Sequence, residues 1–324
     1  MVASSKLIPT PVFYGKRPWP GGPSVQQYCS LPNSMIYYIA KNPTSPKFYQ
    51  NLVQTCKFFF EKNPVIVMAN LYTLENGTKY HISQNERHEC IKNNLECCIK
   101  IDLNKLSTKI WITQVLSIQK HIQNSIATIV QKTFRFEILY LYVEDNDIIF
   151  DDLKVLVSSA KSVFLCENSI KYKKGITVML DKILECLPTN IEIFAFDFGK
   201  KDVSMVNAST MKNILELHNL ENLKDFVMHD CPDTLSIENL SAFIKKFENT
   251  KIYFHFASNI SEEYKEQLDF LIDEIIESDV PNRVIAYDGM DEGKFDTMSC
   301  RFALKDDDDE NDAFENDDGF NVEN

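Results

Sequence analysis

The sequence predicts an α/β protein in which a short helical segment precedes a β-rich segment and an irregular series of strand–helix units. Apolar residues at helical spacing run from Phe48 to Phe60, and short apolar runs bounded by turn residues follow between 65 and 112. Beyond these, apolar runs recur at intervals of 26 to 32 residues with helical patterns between them. The expected segments are a flexible leader (1–30), a helical module (31–63), a β-rich segment (64–113), a strand–helix domain (114–304) and a disordered acidic tail (305–324).

The charge is concentrated at the C-terminal end. The formal net charge is −13, but residues 305–324 hold ten acidic residues and one lysine. The other residues carry 37 acids and 33 bases, a net charge of −4. A chain without a basic patch cannot follow a phosphate backbone, and the tail would repel one, so we expect no nucleic-acid partner.

Hydropathy and cysteine usage indicate an intracellular protein. No run approaches the roughly 20 apolar residues that span a bilayer, and the N-terminal residues lack the apolar region of a secretory signal, so we expect no membrane partner. The nine cysteines are odd in number and scattered along the chain. This usage is typical of a reducing compartment, so the expected location is cytoplasmic or nuclear.

Residues 31–62 predict two helices joined by a turn. The first begins at Leu31-Pro32 and is interrupted at Asn42-Pro43-Thr44. The second has Ser45 as N-cap and Pro46 at its first position, and Asn63-Pro64 ends it. Its apolar positions lie at i, i+4, i+5, i+8, i+11 and i+12, which predicts an amphipathic helix.

The next segment predicts four short strands. Residues 65–68 and 79–82 flank Asn76-Gly77, a strong hairpin signal, and 99–103 and 110–112 are two further apolar runs.

From about residue 115 the pattern predicts a parallel sheet with helices on one face, an irregular solenoid that resembles leucine-rich repeats. The strand centres are Leu139, Leu165, Phe194, Phe226, Phe254 and Ile285. The helical patterns are 153–160, 176–187, 211–218, 237–247 and 264–276. No regular Leu-x-Leu-x-x-Asn strand motif is evident, so an ordinary βαβ domain is the alternative.

Polar aromatic residues alternate with core residues in two of these strands. Tyr140, Tyr142 and His255 are the examples. On a solenoid they line the exposed sheet face where such proteins bind partners. The more common situation for a single tyrosine is a half-buried ring with its hydroxyl in water.

The helical module resembles an F-box. The matching pattern is Leu31-Pro32-x-x-Met35-Ile36-x-x-Ile39, a proline-bearing turn, and then Leu52-Val53-x-x-Cys56-Lys57-x-Phe59-Phe60. With the repeat-like region behind it, the chain is similar to the divergent F-box proteins of nematodes.

This resemblance implies a function. F-box helices dock on a Skp-type adaptor of a cullin–RING ubiquitin ligase, and the C-terminal domain binds a protein target. A two-helix segment of about 30 residues has too little core to bury both of its apolar stripes, so one stripe must contact the body or a partner. The residues that the resemblance places against the adaptor are Leu31, Pro32, Ile36, Ile39, Leu52, Val53, Cys56 and Phe59.

No pattern in the sequence indicates catalysis, a cofactor or a metal site. Glycine-rich phosphate loops, G-x-S-x-G and H-E-x-x-H are absent. The best candidate for a zinc site has spacings between its ligand residues that differ from those of closed zinc sites. Its residues are His81, His88, Cys90, Cys97 and Cys98. We therefore expect a non-enzymatic protein without cofactors.

Two alternatives accompany the F-box hypothesis. Residues 31–62 could be an N-terminal helical hairpin packed on the β-rich segment, in a repeat-type interaction scaffold unrelated to ubiquitin. A small-molecule enzyme ranks last, because it requires a deep polar pocket with perturbed titratable groups.

Overall fold

The computed structural model describes residues 31–73, 80–83, 98–119, 125–199 and 203–303. The predicted leader, the predicted acidic tail and the turn at Asn76-Gly77 lie outside these residues, and so do His88, Cys90 and Cys97.

The helical module contains three helices where the sequence pattern predicts two. They are α1 (Asn33–Lys41), α2 (Pro46–Thr55) and α3 (Lys57–Lys62). The predicted start of α2 is confirmed, since the Ser45 hydroxyl accepts a 3.2 Å hydrogen bond from the Phe48 amide and Pro46 occupies the first turn. The prediction of one continuous helix was wrong. Cys56 has extended backbone angles, φ −154° and ψ 127°, in a stretch of β-branched and aromatic residues with low helix propensity.

One mostly parallel sheet forms the centre of the remaining chain. Its strands are β1 (Val65–Thr73), β2 (Tyr80–Ser83), β3 (Ile99–Ile101), β4 (Lys109–Ile118), β5 (Thr133–Phe136), β6 (Tyr140–Glu144), β8 (Ser162–Cys166), β10 (Ile193–Asp197), β11 (Asp225–Cys231), β12 (Lys251–Phe256) and β13 (Arg283–Ala286). A separate parallel pair consists of β7 (Asp147–Ile149) and β9 (Ser169–Lys171).

The parallel strands lie in chain order across the sheet, whereas β2 and β3 lie on the far side of β1. The full order is β13-β12-β11-β10-β8-β6-β4-β1-β2-β3, and every pair from β13 to β1 is parallel. The short strand β5 pairs with β4 off this path. Successive parallel strands are therefore spatial neighbours, as expected when each crossover returns to the same edge of the growing sheet.

The β-rich segment is part of this same sheet. The predicted hairpin is confirmed in part. β1 and β2 are antiparallel with Leu71 opposite Ile82, but the paired part of β1 is 70–73, and the predicted residues 65–68 pair with β4 instead. The predicted strand at 110–112 is the centre of the longer β4, and the expected boundary at 113/114 falls inside that strand. The predicted strand at 99–103 ends at Ile101, because the Asp102 side chain accepts the Asn104 amide and starts a 3₁₀ turn.

Among the described residues, seven further helices accompany the sheet. They are α4 (Ser125–Lys132), α5 (Phe150–Val157), α6 (Leu180–Glu185), α7 (Thr210–Leu215), α8 (Ile237–Lys246), α9 (Glu262–Glu277) and α10 (Glu292–Ala303). Alternate strand residues such as Leu141, Val143, Val163 and Leu165 are fully buried and join apolar residues of these helices in one continuous core. The side chains between them point to the opposite face, as the period of a strand requires.

The ends of neighbouring strands are built alike. Leu141-x-Val143-x-x-Asn146 and Val163-x-Leu165-x-x-Asn168 have the same pattern, and both asparagines are buried. The Asn168 amide oxygen accepts the Asn146 backbone N–H at 3.0 Å, and its Nδ2 donates to the Val143 carbonyl at 2.7 Å. A search for leucine alone misses this pattern because valine replaces one leucine in each strand. The side chains tie the turns of successive strands together.

Among the described residues no helix is long and apolar enough to cross a membrane.

Candidate docking surface

The helical module is attached to the sheet through Tyr49 of α2. This side chain is buried, and its hydroxyl donates to the Asn63 carbonyl at 2.5 Å and accepts from the Val65 amide at 3.1 Å. Its ring lies 6.4 Å from that of Trp111 in β4. Burial raises the pKa of the Tyr49 hydroxyl, so it stays protonated and can donate.

We call the surrounding residues the attachment cluster. It is separate from the main core and lies on the other face of the sheet, since its strand residues alternate with core residues such as Ile66 and Met68. Its members are Tyr49, Val53, Val65, Val67, Trp111 and Phe134.

Arg135 of β5 closes the cluster on one side. Its guanidinium lies 4.7 Å from the centre of the Trp111 ring, and Nη1 donates to the Pro43 carbonyl at 3.2 Å. The same nitrogen is 3.3 Å from Glu137 Oε1. Arginine thereby joins the α1–α2 turn to the sheet by a hydrogen bond and a cation–π contact.

The rest of the module exposes large apolar side chains. Tyr38 is 67% exposed and Met35 is 50% exposed, whereas Ala40 of the same helix is fully buried. A shallow groove of about 190 Å³ lies along α1 and is lined by Ser34, Met35, Tyr38 and Ile39. The exposed large apolar residues of the module are Leu31, Met35, Tyr37, Tyr38, Phe48 and Phe60. We call them, with this groove, the module surface.

The eight docking residues predicted from the sequence differ in how far they are exposed. Leu31 and Pro32 are exposed. Val53 packs against the attachment cluster and so contributes to holding the module on the sheet. The other five are half-buried, which leaves part of each side chain accessible. They are Ile36, Ile39, Leu52, Cys56 and Phe59.

Several of the most exposed residues were not among those eight. Tyr37 and Tyr38 are 51% and 67% exposed. Their position in α1 could have indicated this exposure, because only a narrow stripe of that helix, ending at Ala40, faces the core. Met35, Phe48 and Phe60 belonged to the recognised stripes, but the family pattern did not place them against the adaptor.

Titratable side chains collect at another place, the carboxyl ends of the parallel strands. Burial raises the pKa of the Cys166 thiol to about 12, and burial lowers the pKa of His229 to about 4, with His255 adding to the effect. Cys186, elsewhere in the body, has a thiol pKa raised by burial to about 11. These thiols are protonated at neutral pH and are therefore poor nucleophiles.

The described residues contain no group of three or more His, Cys, Asp or Glu side chains that could hold a metal ion.

No protein-family model matches the chain, and no curated protein matches it at a significant level.

Proposed function

We propose that the chain is a non-enzymatic F-box-type adaptor, which binds a Skp-type protein through the module surface and presents a protein target on a leucine-rich-repeat-like solenoid. The observation that carries this proposal is a helical module that is fixed to the sheet on one side and leaves six large apolar side chains exposed on the rest of its surface.

The exposed apolar area supports docking by a protein partner. Single exposed apolar residues are common, but several on one small module are a feature of interaction sites. Met35, Tyr38 and Ile39 line one groove along α1, and Leu31 starts the same segment. Aromatic residues and methionine are enriched at protein interfaces, and the module surface includes two exposed tyrosines and a methionine.

The strand order supports the repeat-like interpretation of the body. Eight parallel strands are neighbours in chain order, and the buried Asn146 and Asn168 occupy equivalent positions after β6 and β8. The same position is Gly199 after β10 and Cys231 in β11. A unit that pairs mainly with the units before and after it is characteristic of solenoids.

The test is co-purification of a Skp-type adaptor with the full chain. We expect Leu31→Asp plus Ile36→Asp to abolish binding, since each places a charge on an apolar contact. Met35→Asp plus Tyr38→Asp is a second variant at more exposed positions, where the fold tolerates polar residues better. The matched control is Ile176→Asp plus Phe270→Asp, which changes two exposed apolar residues of the body that are 63% and 76% exposed.

Each outcome decides between the two interpretations. Binding by the wild type and the control, with loss in both module variants, supports the adaptor function. If the wild type captures no Skp-type adaptor, the F-box proposal is wrong, and a scaffold unrelated to ubiquitin is favoured. Circular dichroism of every variant separates lost docking from lost folding.

A further inference from the structure

The helical module is positively charged, in contrast to the body. Residues 31–63 contain four lysines and one glutamate, a net charge of +3, whereas residues 64–304 have a net charge of −10. The glutamate is Glu61, and its carboxylate lies 3.6 Å from the Lys57 amine on α3. The four lysines are Lys41, Lys47, Lys57 and Lys62.

The positive charges lie among the aromatic side chains of the module. Lys41 Nζ lies 5.9 Å from the centre of the Tyr37 ring, and Lys62 Nζ lies 5.3 Å from the centre of the Phe58 ring. A surface that combines apolar side chains with cations suits a ligand that combines apolar side chains with acids.

The acidic tail has this complementary composition. Residues 305–324 hold ten acids and one lysine, and two phenylalanines lie among the acids. At least one acid lies within two residues of Phe314 and of Phe320. An aromatic side chain between acids can contact exposed apolar residues while the carboxylates reach neighbouring lysines.

The described chain ends on the face of the sheet that holds the module. Phe302, in the last turn of α10, packs on Tyr253 with ring centres 6.4 Å apart, and Lys251 Nζ lies 5.7 Å from the centre of the same phenylalanine ring. Both β12 residues alternate with the buried core residues Ile252 and Phe254, so they lie on the face opposite the main core. The attachment cluster lies on that face too.

The tail is long enough to reach the module from there. β1 pairs along one edge of β4, so β5 and β6 share its other edge, where Arg135 donates to the Pro43 carbonyl of the module. Four strand spacings separate β12 from this edge, about 19 Å. Phe314 lies 11 residues beyond Ala303, a reach of up to about 36 Å. A tethered segment of this reach has an effective concentration on the order of millimolar, so even a weak contact is occupied.

The acids at the carboxyl ends of the strands do not lie between these two places. Lys251 is the first residue of β12, and Val65 of the attachment cluster is the first residue of β1. Both places are therefore near the amino ends of parallel strands. Glu144 and Asp197 are the last residues of β6 and β10, at the opposite ends.

We propose that the acidic tail docks on the module surface of its own chain. Phe314 and Phe320 contact the exposed apolar residues of the module, and the neighbouring acids pair with its lysines. The tail thereby covers the surface that the Skp-type adaptor is proposed to bind, and the two compete for it. This competition rests on the proposed function, whereas the docking of the tail does not.

The test is cross-linking with a carbodiimide, which joins a carboxylate to a lysine amine that it contacts. The sample is an equal mixture of unlabelled and isotope-labelled full chain, so that mass spectrometry separates links within one chain from links between two. Exposed body lysines are the internal reference, for example Lys173 and Lys245, whose side chains are 75% and 65% exposed. We expect tail carboxylates to link to the four module lysines of the same chain about tenfold more than to the reference lysines.

Variants test both sides of the contact. Phe314→Ser plus Phe320→Ser leaves every charge in place and should lower the links to the module about fivefold. Met35→Asp plus Tyr38→Asp should lower them about tenfold, and Ile176→Asp plus Phe270→Asp, which adds the same charge to the body, less than about twofold. Circular dichroism of each variant separates lost contact from lost folding.

Five results would overturn the proposal. The tail could form no links, or link equally to module and body lysines. It could link mainly to Lys6 and Lys16 of the leader, or only between differently labelled chains, which makes a second copy the occupant. Unchanged links in Phe314→Ser plus Phe320→Ser would mean that net charge alone holds the tail.

The adaptor is measured separately from the cross-links. We expect Phe314→Ser plus Phe320→Ser to bind the Skp-type adaptor about threefold more tightly than wild type, because the tail no longer competes. Equal affinity would show that the competition is wrong. Tail links to the module in a chain that binds no Skp-type adaptor would support the docking and contradict the F-box proposal, so the two failures are distinct.

Discussion

The body and the helical module are stabilised in different ways. The body has one continuous core in which strand and helix residues with almost no exposure pack together. The module is attached through a separate cluster with three buried members, Tyr49, Val65 and Trp111, and leaves most of its large apolar residues half-buried or exposed. The body is therefore stabilised by one extensive core, whereas the module is held by fewer buried contacts and leaves apolar surface exposed.

The largest effect is expected in the body core. Phe226 lies 4.8 Å from Phe243, 5.7 Å from Phe194 and 5.9 Å from Phe254, measured between ring centres. Phe226→Ala should lower the free energy of unfolding by about 3–5 kcal/mol, because the cavity is surrounded by rigid aromatic neighbours. Urea denaturation checks this, with Phe270→Ala as the exposed control. A loss below about 1 kcal/mol would show that this core is not tightly packed.

A second test uses the pH dependence of stability and concerns His229 of β11. Burial lowers the pKa of His229 from 6.5 to about 4, with His255 adding to it and Asp230 opposing it. Because the unfolded chain binds this proton more readily, stability is present above pH 6.5 and is lost as the pH falls toward 4. Between pH 7 and pH 5 the loss is about 2 kcal/mol.

The measurement compares wild type with His229→Gln by urea denaturation at both pH values. The difference between the two proteins isolates His229 from the carboxylates, which also titrate in acid. Identical pH dependence in both proteins would mean that the His229 ring takes up its proton as readily in the folded state as in the unfolded chain, so that burial does not lower its pKa.

Local signals in the sequence were sufficient to predict parts of both the helical module and the body. Ser45-Pro46 predicted the start of α2, since a cap and a first-turn proline act within four residues. The strand centres at Leu165, Phe194 and Phe254 fall within β8, β10 and β12. The β-branched and aromatic residues around Cys56 lower the helix propensity, but this weak preference does not fix where the helix is interrupted, because tertiary packing decides between helix and extended backbone there.

The grouping of four acidic residues at the carboxyl ends of parallel strands could not be predicted from the sequence. They are Glu144, Glu167, Asp197 and Asp230, separated by 23 to 33 residues, and only the parallel pairing of their strands brings them to one edge. A one-residue shift would place neighbouring side chains on the other face. The sequence also could not show which predicted docking residues contact the sheet, because the contact of Val53 depends on the position of Trp111.

The third prediction concerns the attachment of the module. Tyr49→Phe removes the hydroxyl that bridges the Asn63 carbonyl and the Val65 amide. Leaving these buried groups without their partner should cost about 1–2 kcal/mol. Hydrogen exchange should accelerate in α1–α3 and stay unchanged in β8–β12. Tyr37→Phe, which changes an exposed tyrosine of α1, is the control, and faster exchange throughout the body would contradict the separation of the two regions.

The smallest effect should be confined to one helix end. Ser45→Ala removes the acceptor of the Phe48 amide, which is expected to cost about 1 kcal/mol in opening of the first turn of α2. Ser34→Ala on α1 is the matched control, since Pro32 caps that helix without a side-chain hydrogen bond. Hydrogen exchange at the Phe48 amide measures the effect. A contrary result would be faster exchange in α1, α2 and α3 together. The module would then be a single cooperative unit whose stability depends on this cap, and the attachment cluster would hold it less firmly than its burial indicates.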